Sequence, residues 1–410
     1  MMDLGRFRTM ALRTLRSAIA LASAVGVIFA LTILASPTAQ AQNYRLYPPD
    51  ADGIEPQAGV TIRGDYVYGT AAMSGSGGGE VFEVKHLGRL TEFDRGIYGP
   101  EARVVFGPDG PLYTTYPGYL NDSFGAVVKL FPSPTISGLF WRSKALYHFK
   151  GYPDGSHPGH GDLIWDQQGN IYGTTINGGT GKYGVVYELM PPVPPSNTWT
   201  ESVIWNFTGP DGEYPQNGVI FDPNGDLFGT ARWGGQYGFG TVFKLTPSGN
   251  TWTETNAYDF QGGADGRYPI AGLMLDSSGN IYGATSDGGS GHGGTIFELI
   301  PSGNTYTFKL LYSFSGPLGQ NCGPWGTLTM DATGNVYGTT YCNGLYHAGT
   351  VFKLTNTQNG WVYTSLHDFP AVDNDGVYPM SNVSFDANGN LWGTASAGYF
   401  GSGVVWEITP

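Results

Sequence analysis

Four of the seven histidines sit in glycine-rich stretches: His157 and His160 in SHPGHGD, which also holds Asp162, His292 in GSGHGG, and His347 in GLYHAGT. Neutral imidazoles beside a carboxylate can ligate zinc or another divalent ion, and one imidazole can act as a general base. Aromatic and acidic residues crowd comparable stretches: Trp233, Tyr237, Trp325, Tyr341, Tyr346 and Tyr399, with Asp154, Asp211, Asp265, Asp287 and Asp375. Aromatic platforms beside carboxylates suit sugar rings, which stack an apolar face and hydrogen-bond at the edge. The bland alternatives are solvated loop histidines and packing between loops. Convergence decides, and it depends on the elements that carry these residues.

Two motifs in residues 222–247 bear on those elements. Asp222-x-Asn224-x-Asp226 has the spacing of the start of a calcium loop, and Gly234-Gly235-x-x-Gly238-x-Gly240 that of a phosphate loop. The first recurs as DQQGN, DSSGN, DATGN and DANGN, with glycine at the fourth position where a calcium loop of the EF-hand kind needs it at the sixth. It reads as a hairpin turn in which Asp bonds its own backbone. The second motif leads into TVFKL, a strand pattern, and so lacks the helix N-terminus that phosphate loops use.

Both motifs belong to a repeat. YVYGTA (Gly69), PLYTTY (Thr114), NIYGTT (Gly173), DLFGTA (Gly229), NIYGAT (Gly283), NVYGTT (Gly338) and NLWGTA (Gly393) recur at intervals of roughly 55 residues. The fifth unit runs ADGRYPIAGLMLD, turn SSGN, strand IYGAT, loop SDGGSGHGG, strand TIFELIP and strand TYTFKLLYSF. That is four strands per unit, the third apolar on both faces as if packed between two sheets. Four-stranded units repeated radially make an all-β, seven-bladed β-propeller. The last unit stops at VVWEITP without an outer strand, whereas NYRLYPPDADGIEP near the start matches NAYDFQGGADGRYP. Tyr44–Tyr47 is therefore predicted to pair with Val404–Ile408 and close the ring, leaving no open strand edge. The penultimate position of strand three reads Glu83, Lys129, Glu188, Lys244, Glu298, Lys353 and Glu407, which predicts charge matching between neighbouring blades.

The pattern DG-x-x-P…GL-x-x-D-x-x-G-N-x-YGTT…GG…GTVFKLTP resembles the Gloeo/Verruco (GloVer) tandem repeat of exported bacterial proteins, over about residues 43–410. The match is specific in units three to seven and loose in unit two, where PLYTTY lacks the glycine. The resemblance implies export and a repeat array, and brings no activity or catalytic residues. Some members carry a C-terminal anchor; none is expected here, where the sequence ends on the last repeat.

Composition agrees with many short strands: 65 Gly and 27 Pro, with 14% aromatic and 13% charged residues. Arg6, Arg8, Arg13 and Arg16 precede an apolar run near residues 18–35, then Ala39-Gln40-Ala41. This reads as a signal peptide over 1–41 with the propeller in 42–410, an uncleaved membrane anchor being the alternative. Four of the arginines and one aspartate lie in that segment, so residues 42–410 carry a net charge of −16 against −13 for the whole chain. No basic patch is left to neutralise phosphates, so nucleic acid is a poor partner.

Cys322 precedes strand one of the sixth unit and Cys342 follows its strand two. In a propeller those two loops share one face, so a disulfide is expected in an oxidising compartment; two free thiols or half a metal site are the alternatives. His86, His148 and His367 lie outside these loops and read as structural. The DG-x-x-P aspartates, Asp52, Asp154, Asp211, Asp265 and Asp375, recur at one repeat position and point to a turn role.

The expected protein is a secreted, periplasmic or cell-surface monomer, not inserted in the membrane after cleavage. Its loop-rich face is expected to bind a carbohydrate or protein ligand. Its site candidates are His157, His160, Asp162, Trp233, Tyr237, Asp287, His292, Trp325, Tyr346 and His347, with no cofactor expected and a divalent metal as the exception. A polysaccharide or lactone lyase or hydrolase, and a structural cell-surface scaffold, are the alternatives.

Overall fold

Each unit builds its sheet in the same order. In the fifth, Met274–Leu275 pairs with Ile281–Thr285, which pairs with His292–Ser302, which pairs with Thr305–Ser315, all antiparallel. Seven such sheets follow along the chain. Blade 1 spans residues 61–97, blade 2 105–148, blade 3 155–206, blade 4 220–259, blade 5 274–315, blade 6 329–368 and blade 7 384–409. The computed structural model describes residues 43–48, 55–73, 79–85, 89–97, 99–118, 124–135, 138–317, 319–372 and 374–409. The expected signal peptide, Asp52 and His86 lie outside the described residues.

Asn43–Tyr47 supplies the outer strand of blade 7, pairing Asn43 with Thr409 and Tyr47 with Val405. The ring closes by the strand pairing expected from the sequence, with Val405–Thr409 as the partner segment. Among the described residues no helix is long and apolar enough to cross a membrane.

The core lies between blades. Seven apolar clusters are each built by two neighbours; one joins Tyr172 and Val186 of blade 3 to Phe243 and Leu245 of blade 4. Strand three is thus covered on both faces, which is why Val242, Phe243 and Leu245 are all fully buried. Blade 3 departs from the pattern with an extra strand, Gly155–Pro158, against the far end of its second strand.

The Tyr-Gly-Thr motif has a separate reason for each residue. Tyr172, Tyr282 and Tyr337 donate their hydroxyls to Asp166, Asp276 and Asp331 of the preceding turn at 3.0–3.3 Å. The glycine admits the large ring of strand three, since a Cβ on Gly229 would stand 2.3 Å from Phe243 and one on Gly393 2.2 Å from Trp406. The threonine reaches the next blade: Thr70 bonds the Ala102 carbonyl, Thr174 that of Asn217, Thr230 that of Ala271, Thr339 that of Ser381 and, across the closure, Thr394 that of Ala58, at 2.6–3.0 Å.

The D-x-x-G-N turns consume their own carboxylates. Asp222 accepts the backbone N–H groups of Asn224 and Asp226 at 2.8 and 2.9 Å, and Asp226 pairs with Lys244 at 2.6 Å. The calcium spacing is therefore turn chemistry. The strand-three charges also find partners at home: Glu188 accepts from Tyr172, Lys309 pairs with Glu298, and Tyr47 donates to Glu407, each within one blade. The expected matching between blades is replaced by pairing across strands of the same sheet, because the side chains of strand three lie beside their own neighbours.

A candidate binding site at the channel mouth

The segment between each turn proline (Pro56, Pro100, Pro158, Pro215, Pro269, Pro324, Pro379) and strand one lies at the central axis, and all seven blades contribute to one concave mouth. Counting back from the apolar residue that immediately precedes strand one (Val60, Val104, Leu163, Val219, Leu273, Leu328, Val383), the third residue back forms a ring. It reads Gln57, Glu101, His160, Gln216, Ile270, Trp325 and Met380 in blade order. The residue directly before that apolar position forms a second ring: Gly59, Arg103, Asp162, Gly218, Gly272, Thr327 and Asn382. The residue between them is mostly small, and in five blades its carbonyl accepts the threonine hydroxyl from the blade before. One scaffold thus presents six different residue types at seven equivalent places.

Their arrangement is lopsided. Blades 5, 6 and 7 supply an apolar arc of Ile270, Trp325 and Met380, and blades 1 to 4 a polar arc of Gln57, Glu101, His160 and Gln216, with Asn217 and Asn382 nearby. Arg103 holds Asp162 with both guanidinium and carboxylate engaged, Nε donating to Oδ1 at 3.0 Å and Nη2 to Oδ2. Burial works against the Arg103 charge, and the adjacent Asp162 carboxylate more than offsets it, so its pKa is raised. His160 Nε2 stands 3.6 Å from Glu101 Oε2, within ion-pair reach. The indole of Trp325 donates to the Asn321 carbonyl at 2.8 Å and stacks on Tyr341 with ring centres 5.0 Å apart.

Of the residues expected from the sequence, His160, Asp162 and Trp325 converge here; the others serve the loops. His157 sits at φ 55° like Tyr214, Tyr268 and Tyr378 at the same repeat position. Each of the four gives its backbone N–H to the loop of the preceding blade, His157 to the Phe124 carbonyl at 2.9 Å. His292 and His347 occupy the left-handed position of the glycine loop, where blade 4 has Gly238 and blade 3 Lys182. Their N–H groups close that turn on Gly289 and Gly344, and both side chains are exposed. Histidine tolerates the left-handed region better than most residues, which accounts for it there without metal chemistry.

Asp287 is buried under Arg267 at 3.0 Å and caps the Gly288 N–H. Trp233, Tyr237 and Tyr346 are exposed on the outer loops, Trp233 with its ring centre 4.2 Å from that of Tyr268. The DG-x-x-P aspartates have the turn role expected: Asp154, Asp211 and Asp265 accept from Tyr147, Trp205 and Tyr258 of the preceding outer strand. Among the described residues no group of three His, Cys, Asp or Glu is placed to hold a metal ion.

The sequence reading passed over Glu101 and Arg103, which lie in the unit that matches the repeat least well. They were legible by column: Arg103 stands three residues after its proline, where Gly59, Gly218 and Gly272 follow theirs. Cys322 and Cys342 form the expected disulfide, with Cα atoms 4.4 Å apart.

Seven antiparallel sheets in a closed ring, six of four strands and that of blade 3 of five, define a β-propeller. The chain belongs to the Gloeobacter/Verrucomicrobia repeat family, whose sequence model matches residues 141–322 and 255–410, well over half the chain. No curated protein matches the sequence. Among solved structures, a catalytically inactive virginiamycin B lyase from Staphylococcus aureus with quinupristin is similar over 90% of this chain and 99% of its own, at 13% identity and TM-score 0.56. A candidate 6-phosphogluconolactonase from Bacteroides uniformis matches at 13% identity over 79% of this chain and 86% of its own, with TM-score 0.48. A protein of unknown function from Dyadobacter fermentans matches at 11% over 91% and 100%, with TM-score 0.45. At such identities the likeness concerns the fold alone.

Proposed function

We propose that this is an exported propeller that binds an uncharged carbohydrate at the channel mouth. The observation that carries the reading is the division of one ring of equivalent positions into an apolar arc around Trp325 and a polar arc of amides, carboxylate and imidazole. A pyranose ring has the same division, with C–H faces that stack on an indole and hydroxyl edges that exchange hydrogen bonds. Charge argues for a neutral ligand. The positive charge of Arg103 is matched by Asp162, and Glu101 adds a second carboxylate to the mouth, so a uronate or phosphate meets no net positive charge there. Export is supported by the N-terminal sequence pattern and by the disulfide, which persists in oxidising compartments.

The test is an array of neutral, acidic and aminated oligosaccharides probed with residues 42–410. The expected result is binding to neutral glycans, weakened at least tenfold, about 1.4 kcal/mol, in Trp325→Ala. Binding that survives this change, or that is confined to a protein ligand, overturns the reading.

A second reading, general acid–base chemistry on a polysaccharide or lactone, is favoured by the His160–Glu101 pair. It requires turnover that disappears in His160→Ala while ring stability is kept.

A further inference from the structure

The two cysteines and the one aromatic residue of the axial ring occur in the same blade. Cys322 lies three residues before Trp325, and Cys342 directly follows Tyr341, the ring on which Trp325 stacks. The disulfide therefore joins the segment that carries the platform to the segment that backs it. Around the bond, Cys342 N–H donates to the Cys322 carbonyl at 3.2 Å and Tyr341 N–H to the Gly323 carbonyl at 3.0 Å. Both cysteines are buried.

The row continues outward. Tyr341 stacks on Tyr378 of blade 7 at 5.0 Å and 29°, and Asn343 anchors the same loop to blade 5 through the Gly293 carbonyl at 2.7 Å. In blades 4, 5 and 7 the corresponding positions meet through short backbone bridges, Glu213 with Trp233, Arg267 with Asp287 and Val377 with Ala397, and blade 5 adds the Arg267–Asp287 ion pair at 3.0 Å. Blade 6 has a covalent bond at this place, and blade 6 has the indole.

We infer that the Cys322–Cys342 disulfide is a positioning device that holds Trp325 at the mouth in the orientation set by Tyr341 and Tyr378, so that the platform for an uncharged sugar ring is preformed. This rests on the reading of the mouth as a glycan site. A side chain ordered before binding spares the ligand the cost of ordering it, which corresponds to roughly three- to tenfold in affinity. The disulfide thus serves the site as well as the stability of the ring, and breaking it frees the platform while the blades stay closed.

The test uses residues 42–410 and two cystine-free variants, Cys322→Ser with Cys342→Ser, and Cys322→Ala with Cys342→Ala, the second keeping the buried positions apolar should the first fail to fold. Hydrogen exchange is followed in residues 319–327 and 340–348, with the equivalent blade 4 segments as internal control. Acrylamide quenching of Trp325 is isolated by difference against Trp325→Phe.

The expected result is exchange at least tenfold faster in the two blade 6 segments, with blade 4 unchanged and Trp325 more accessible. Equal protection and equal quenching without the disulfide would show that stacking alone places the indole, and would overturn the inference. Neither readout needs a ligand. Titration with cellohexaose and xylohexaose then separates the two claims: failure of the parent protein to bind any neutral glycan removes the site reading, while the exchange result still decides the brace.

Discussion

The motif glycines make the most local prediction. At Gly283 a Cβ would lie 2.4 Å from Phe297 Cζ, inside a fully buried contact that has no room to relax. Gly283→Ala is expected to cost about 2–3 kcal/mol by overpacking, measured by denaturant unfolding. Gly225, at φ 87° with nothing within 4 Å of its Cβ position, is glycine for backbone conformation only. Gly225→Ala is expected to cost about 1 kcal/mol; equal costs at the two positions would contradict the close-approach account. At the mouth, the residue scale is where sequence reading was weakest. His160, Asp162 and Trp325 were visible as unusual types in loops, but His292 and His347 looked equally unusual. Only the backbone separates them, since the turn of blade 5 or 6 and the axis of the ring are indistinguishable in composition.

Among the outer strands, two glutamates should make the fold sensitive to pH. Burial pushes Glu201 up to about 7, with help from Asp154, and Glu254 up to about 8, with help from Asp211 and Asp259. Each folded-state value lies above the ordinary 4.5, so the folded protein keeps these protons to higher pH than the unfolded chain does. Their contribution to stability is fully present below about pH 4.5 and is lost as pH rises through 7 to 8. Both side chains are partly exposed, so the effect is on the order of 1 kcal/mol each after screening.

The turn aspartates act in the opposite sense. Burial would raise Asp331, but hydrogen bonds from Asn335 and Thr333 outweigh it and hold the carboxyl well below the ordinary range, so its contribution is lost as pH falls below about 3.8. Thermal melts are therefore expected to show greatest stability near pH 4–5, with Glu201→Gln and Glu254→Gln together flattening the decline toward pH 8. An unchanged slope in that double variant would contradict the assignment. The elements themselves were well marked in the sequence, because YGT, D-x-x-G-N and the apolar third strand recur with their spacing. The extra strand of blade 3 was not, since Gly155–Pro158 carries no apolar alternation and exists through pairing with Gly178, Asn177 and Thr175.

At the scale of the whole molecule, the account depends on the ring being closed and on its axis holding one site. Closure was readable from the two ends because an outer strand missing from one matched a strand spare at the other. Removing residues 43–47 deletes the register with Val405–Thr409 and the hydrogen bonds from Tyr44 to Asp375 and Tyr47 to Glu407. The loss is expected to be on the order of 5 kcal/mol, seen as a large fall in Tm by calorimetry; an unchanged Tm would mean that this strand does not close the ring in solution.

The identity of the ligand was not readable, because a propeller presents many loops and only the axis gathers seven of them. The measurement that tests the central claim most directly is a crystal structure of residues 42–410 with a neutral glycan selected on the array. The account predicts a sugar ring stacked on Trp325, with its hydroxyls toward Glu101, His160 and Gln216. A sugar bound instead at Trp233 and Tyr237, or on the face of the D-x-x-G-N turns, with the mouth filled only by solvent, would contradict it.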